Sequence, residues 1–180
     1  MSGIKASGSA RLLGLLLAPF AGMLGLAACG LSENDVAPLP VAIPSVTIEC
    51  GTTEGKACDN MVLESREVVA FWTYGDCDVE KINRGEFVVQ GASVFLTASD
   101  CDFTKQLCTE TIATWHPFND TEKEVTTIPT GKYQLCTFVN TNTDNDLGES
   151  GDARSQKSGI ALNSATATET QTVSEFTLLK

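Results

Sequence analysis

A punctuated strand pattern constrains this chain more than any other feature. From Val46 to the C-terminus, short runs rich in Val, Ile, Thr, Phe and Tyr are separated by turn residues at intervals of about ten. Strands are expected at 46–50, 62–73, 86–90, 93–98, 111–115, 124–128, 132–140, 158–162 and 171–179. Turns are expected at Gly75-Asp76, Arg84-Gly85, Gln90-Gly91, Phe118-Asn119-Asp120 and Pro129-Thr130-Gly131. In 60–72, Leu63, Glu67, Val68 and Phe71 also satisfy helical spacing, so strand and helix both stay open there; elsewhere helix is disfavoured. Alternation is clearest where Tyr133, Leu135, Thr137 and Val139 share one face and Gln134, Cys136, Phe138 and Asn140 the other, as in a half-buried strand. Many short strands without crossover helices imply an all-β, antiparallel β-sandwich of the immunoglobulin-like kind.

The first 29 residues differ in kind. Lys5 and Arg11 precede an uncharged run from Leu12 to Ala28 that ends in small residues, the layout of a secretory signal peptide. The run is short for a membrane span and holds Gly14, Pro19, Gly22 and Gly25. Leu26-Ala27-Ala28-Cys29 resembles the lipobox of bacterial lipoproteins. In that family a peptidase cuts before the cysteine, whose thiol takes a diacylglycerol and whose new amine is acylated. The resemblance implies a signal peptide over 1–28 and a palmitate-bearing lipid anchor at Cys29. Gly30 is not the aspartate that retains such proteins in the inner membrane, which implies the outer membrane where the cell has one. The alternatives are a transmembrane anchor or a buried cysteine. Pro38, Pro40 and Pro44 mark 29–44 as an extended tether, reaching up to roughly 45 Å, and leave 45–180 as the folded domain.

Cleavage would remove Lys5 and Arg11, leaving ten bases against 23 acids and moving the net charge from −11 to −13. Such a surface repels phosphate backbones, so no nucleic-acid partner is expected. About 150 residues bury one full core and leave little room for another. Setting Cys29 aside leaves Cys50, Cys58, Cys77, Cys101, Cys108 and Cys136, an even set in an exported chain. Three disulfides are the natural reading; a zinc site prefers Cys-x-x-Cys spacings and histidine. Connectivity stays open. If the nearest cysteines pair, Cys101 with Cys108 and Cys50 with Cys58, then Cys77 and Cys136 join distant parts of the core.

Gly91-Ala92-Ser93-Val94-Phe95-Leu96, Pro129-Thr130-Gly131-Lys132-Tyr133-Gln134-Leu135 and the alternating Val173-Ser174-Glu175-Phe176-Thr177-Leu178 resemble the transthyretin-like, or carboxypeptidase-regulatory-like, sandwich domain. Proline sets one turn dihedral, glycine takes the strained one, and the following tyrosine packs inward. The resemblance implies an accessory, adhesive or binding role. It covers about half of the mature chain, and the long loop after Asn140 and the cysteines depart from it.

Catalytic parts are few. Gly148-Glu149-Ser150-Gly151-Asp152 superficially resembles the nucleophile motif of trypsin-like proteases, with His116 as a base, but the domain is too short for that double barrel. Phe71, Trp72, Tyr74 and Trp115 are aromatic candidates: core filling is favoured for Trp72 and Trp115, and an exposed one becomes a ligand-binding residue for carbohydrate. From Asn140 to Asp152 the chain has seven Asn, Asp or Glu side chains and no base. Asn140, Asn142, Asp144, Asp146, Glu149 and Asp152 are the expected ligands of a Ca²⁺ ion, against the alternative of a solvated turn-rich loop. No organic cofactor is expected.

The combined expectation is an exported, lipid-anchored β-sandwich acting as a binding, adhesive or structural module of the bacterial cell envelope, not an enzyme. Its partners would be the membrane, through the anchor, and an envelope protein or carbohydrate. The alternative is an envelope hydrolase that uses carboxylates on the same scaffold.

Overall fold

A computed structural model describes residues 38–59, 61, 64–118, 120–141 and 147–180. Cys29 and 1–28, where the signal peptide is expected, lie outside the described residues. Twelve strands follow in chain order: β1 (Pro40–Ala42), β2 (Val46–Gly51), β3 (Arg66–Thr73), β4 (Val88–Leu96), β5 (Cys101–Asp102), β6 (Leu107–Ile112), β7 (His116–Pro117), β8 (Thr127–Pro129), β9 (Gly131–Asn140), β10 (Ala153–Leu162), β11 (Gln171–Val173) and β12 (Thr177–Leu178). One short helix, α1 (Val79–Asn83), and a 3-10 turn at Ala98–Asp100 complete the elements. The all-β expectation holds.

Two sheets make the sandwich. The larger has the order β12-β10-β9-β3-β4-β7 and the smaller β11-β2-β6-β5. All pairings are antiparallel except β11 beside β2, which is parallel. Between the sheets lie Val46 and Ile48 of β2, Val68, Ala70 and Trp72 of β3, Ile112 of β6, and Tyr133, Leu135 and Val139 of β9. β1 and β8 form a separate pair, and Val41 opposite Ile128 adds to this core. Residues 40–42 of the tether expected over 29–44 are therefore strand. Proline is tolerated there because an edge strand does not need every N–H.

β9 departs from the half-buried expectation. Its second face is covered too: Cys136 and Phe138 join Phe71, Cys77 and Ile82 in a smaller core on the outer side of the large sheet. α1 supplies Ile82 to that core, and Asp78 caps the helix by accepting from Lys81 N at 3.1 Å. Five residues are too few for an apolar period, so the helix had no signal beyond its Asp78 cap and Gly85 behind it.

Other boundaries moved. A single β4 replaces the two strands expected on either side of a Gln90-Gly91 turn. Gly91 stands directly opposite Phe71, and a Cβ there would lie 3.0 Å from the Phe71 Cδ1. The glycine serves a ring laid across the strand, as aromatic cover of a strand glycine does elsewhere. The strand expected at 111–115 is observed at Leu107–Ile112, and the ambiguous stretch before Trp72 is strand from Arg66. The six cysteines pair as Cys50–Cys58, Cys77–Cys136 and Cys101–Cys108. Cys50, Cys108 and Cys101 stand side by side across β2, β6 and β5; the Cys101–Cys108 bridge ties β5 to β6, and Cys50–Cys58 ties β2 to the turn that follows it. The third ties the loop before α1 to β9 across the outer core.

Candidate ligand groove

The edge of the large sheet is incomplete. β7 pairs with β4 only at Gln90 and Gly91, so from Ala92 to Leu96 the outer side of β4 has no strand beside it among the described residues. A groove of about 560 Å³ opens there. Val69, Phe71, Gly91 and Ser93 form its floor on the outer face of the large sheet, with Phe118 and Pro117 as one wall and Thr111 to Thr114, leaving β6, as the other. The Phe71 ring is held by Phe138 and Phe118, with centroids 6.3 and 6.1 Å away. β4 has no charged residue.

Glu67 is the carboxylate of the lining, half-buried on β3 opposite Phe95. His116 also lines the groove, on β7 opposite Gly91, and its Nδ1 lies 3.2 Å from the Lys123 carbonyl. A carbonyl only accepts, so Nδ1 donates in this contact. Phe95 and Gly91 are four residues apart on β4, about 13 Å along the strand. Glu67 and His116 flank β4 on opposite sides at that offset, too far apart for an acid–base pair. The groove therefore offers exposed strand backbone, apolar floor, hydroxyls and one carboxylate, which is equipment for holding an extended ligand.

Neither tryptophan faces solvent. Trp72 is 0% and Trp115 1% exposed, with ring centroids 6.0 Å apart in the core. Their ligand-binding role is withdrawn: each indole lies between the sheets, beyond any ligand's reach, and the core reading is the one found. Both indole N–H groups lack a hydrogen-bond partner. Of the four aromatic candidates, Phe71 lies under the groove and Tyr74 is exposed.

Of the expected calcium ligands, Asn142, Asp144 and Asp146 lie outside the described residues. The others are dispersed in character: Asn140 and Asp152 are buried, while Glu149 is exposed. The Asp152 carboxylate accepts from Thr141 N at 3.0 Å, Thr141 Oγ1 at 3.4 Å and Gly148 N at 2.8 Å, clasping the two ends of the loop together. Among the described residues no group of three or more His, Cys, Asp or Glu side chains could hold a metal.

The groove was not legible as a site in the sequence, because its walls come from β3, β4, β7 and the segment after β6. The chain is thus a three-disulfide β-sandwich with an open edge. Compared with known protein families, curated proteins and solved structures, it matches none.

Proposed function

We propose that this protein is an exported, lipid-anchored binding module of the bacterial cell envelope, and that the groove beside β4 receives its ligand. The open β4 edge carries this reading: unpaired strand backbone above an apolar floor is how sheets accept an added strand or an extended chain. Three disulfides in a β domain suit an exported protein. Among the described residues no helix is long and apolar enough to cross a membrane. Attachment is assigned to acylated Cys29, in the outer membrane where there is one, and the transthyretin-like resemblance supplies the family reading. The groove lining holds one carboxylate, so the two-carboxylate hydrolase has no pair there.

The test is a photo-crosslinking amino acid placed at Ser93 in the groove, and at exposed Ser158 on β10 as control, in the producing cell. A defined adduct with an envelope protein or glycan at Ser93 alone is expected; equal labelling at both sites, or none, overturns the groove as ligand site. Anchoring is tested separately: mass spectrometry should find diacylglycerol on Cys29, and Cys29→Ser should abolish both cleavage and acylation.

A further inference from the structure

Leu39, Tyr74 and Phe87 are large apolar side chains that remain exposed, at 70%, 51% and 58%. They lie together. Tyr74 N donates to the Phe87 carbonyl at 3.0 Å, and the Phe87 ring covers Gly75, whose absent Cβ would stand 3.0 Å from Cδ2. Gly131 lies under Tyr74, with 3.6 Å from its absent Cβ to Tyr74 Cε1, and the adjoining Thr130 N donates to the Leu39 carbonyl at 2.8 Å.

The cluster is held rigidly. Tyr74 stacks on Tyr133 at 4.6 Å, with the hydroxyls 2.7 Å apart. Phe87 has φ of 63°, a left-handed conformation that a bulky side chain rarely adopts. Such strain marks positions where the surrounding structure imposes a conformation, and here its product is an aromatic ring turned to solvent. Beside it Glu86 is paired with Arg84 at 2.9 Å, while the exposed Asp76 next to Gly75 accepts from Gln134 Nε2 at 3.3 Å.

The position of the cluster says what covers it. The chain joins the domain at Leu39, only ten residues after Cys29, and ten extended residues span about 30 Å. We infer that the Leu39, Tyr74 and Phe87 end of the sandwich seats in the interfacial region of the bilayer that holds the Cys29 acyl chains. This rests on the lipid-anchor reading. Aromatic rings and a leucine at the headgroup boundary bury apolar area while their polar surroundings stay wet. The anchor thus orients the domain as well as retaining it, with the far end of β4 pointing away from the membrane.

The test uses the mature acylated protein reconstituted in phosphatidylcholine vesicles containing a bromine-labelled phosphatidylcholine that quenches indole emission. Phe87→Trp places a reporter in the patch. Phe95→Trp places one at an exposed position eight residues further along, roughly 25 Å away on β4. Trp72 and Trp115 contribute the same buried background to both. The patch reporter should be quenched at least about twofold more than the distal one, and Leu39→Ser with Tyr74→Ser should abolish the difference while flotation with vesicles persists. Tyr74→Trp repeats the measurement should Phe87→Trp misfold. Flotation with equal quenching at both positions overturns the seating and leaves the anchor standing. Absence of acyl chains on Cys29 overturns the anchor, and the seating falls with it.

Discussion

Tyr133 shows how one side chain joins turn, core and surface. It is 1% exposed, and its hydroxyl donates to the Pro129 carbonyl at 2.6 Å, four residues back. Its single proton is thereby committed, so Tyr74 donates to Tyr133 across 2.7 Å. Burial pushes the Tyr133 phenol well above the ordinary value of 10.0, and the Tyr74 hydroxyl raises it further. The unfolded chain then loses this proton first as pH rises. The contribution is complete below about pH 10 and is lost progressively above it. Tyr133→Phe should cost about 1–3 kcal/mol near neutrality through its two lost hydrogen bonds. It should also flatten the alkaline fall in stability, seen as a urea midpoint gap to wild type that narrows above about pH 10. Asp152 plays the corresponding part in the loop after β9. Asp152→Ala leaves Thr141 N and Gly148 N without their acceptor, each orphaned group costing about 1–3 kcal/mol. Hydrogen exchange at those two amides should rise first, whether calcium or chelator is present.

At the scale of elements, the bridges differ in reach. Cys77–Cys136 closes a separation of 59 residues, whereas Cys50–Cys58 and Cys101–Cys108 close 8 and 7. Loop-closure entropy assigns about 4 kcal/mol to the first and about 2.5 kcal/mol to each of the others. Paired Cys→Ser replacement of Cys77 and Cys136 should therefore lower the denaturation midpoint most. It should also loosen α1, which packs beside that bridge through Ile82. Equal losses for all three pairs would show that native-state strain, not chain entropy, governs them. Element positions were partly legible: β2 and β9 follow from β-branched and aromatic runs, and Tyr133 packs into the core as expected, although Gly131 takes no positive φ, so the strained turn expected there is not found. Of β10 only 158–162 was expected, because 153–157 carries no β-branched or aromatic residue. Misplaced elements have physical causes. Gly91 signals a turn when read alone and is a strand residue once Phe71 lies over it.

At the scale of the molecule, the proposed anchor has a consequence in charge. The mature chain would carry −13, so an anionic bilayer would repel a domain that acyl chains on Cys29 held to it. Quenching of the Phe87→Trp reporter should weaken when anionic lipid replaces phosphatidylcholine, and raising salt from about 0.05 to 0.5 M should restore it by screening. Strengthening by anionic lipid would mean that local cations such as Lys132, and not the net charge, govern the approach.

Local chemistry was enough to determine the all-β class and the even set of six cysteines, because each depends on residue type and spacing. Which cysteines pair was left to the fold, which sets Cys101 beside Cys108 on β5 and β6 and brings Cys77 to Cys136 of β9. Tertiary structure alone decided that both faces of β9 are buried, since the covering α1 and Phe118 come from distant segments. It also decided that Trp72 and Trp115 pack between the sheets, because burial belongs to the assembled sandwich and not to a residue. The groove and the Leu39, Tyr74 and Phe87 patch belong to the same category. Each gathers residues from separate segments, and no local motif contains the pairing that leaves β4 open or the contact that sets Phe87 against Tyr74 and Gly75.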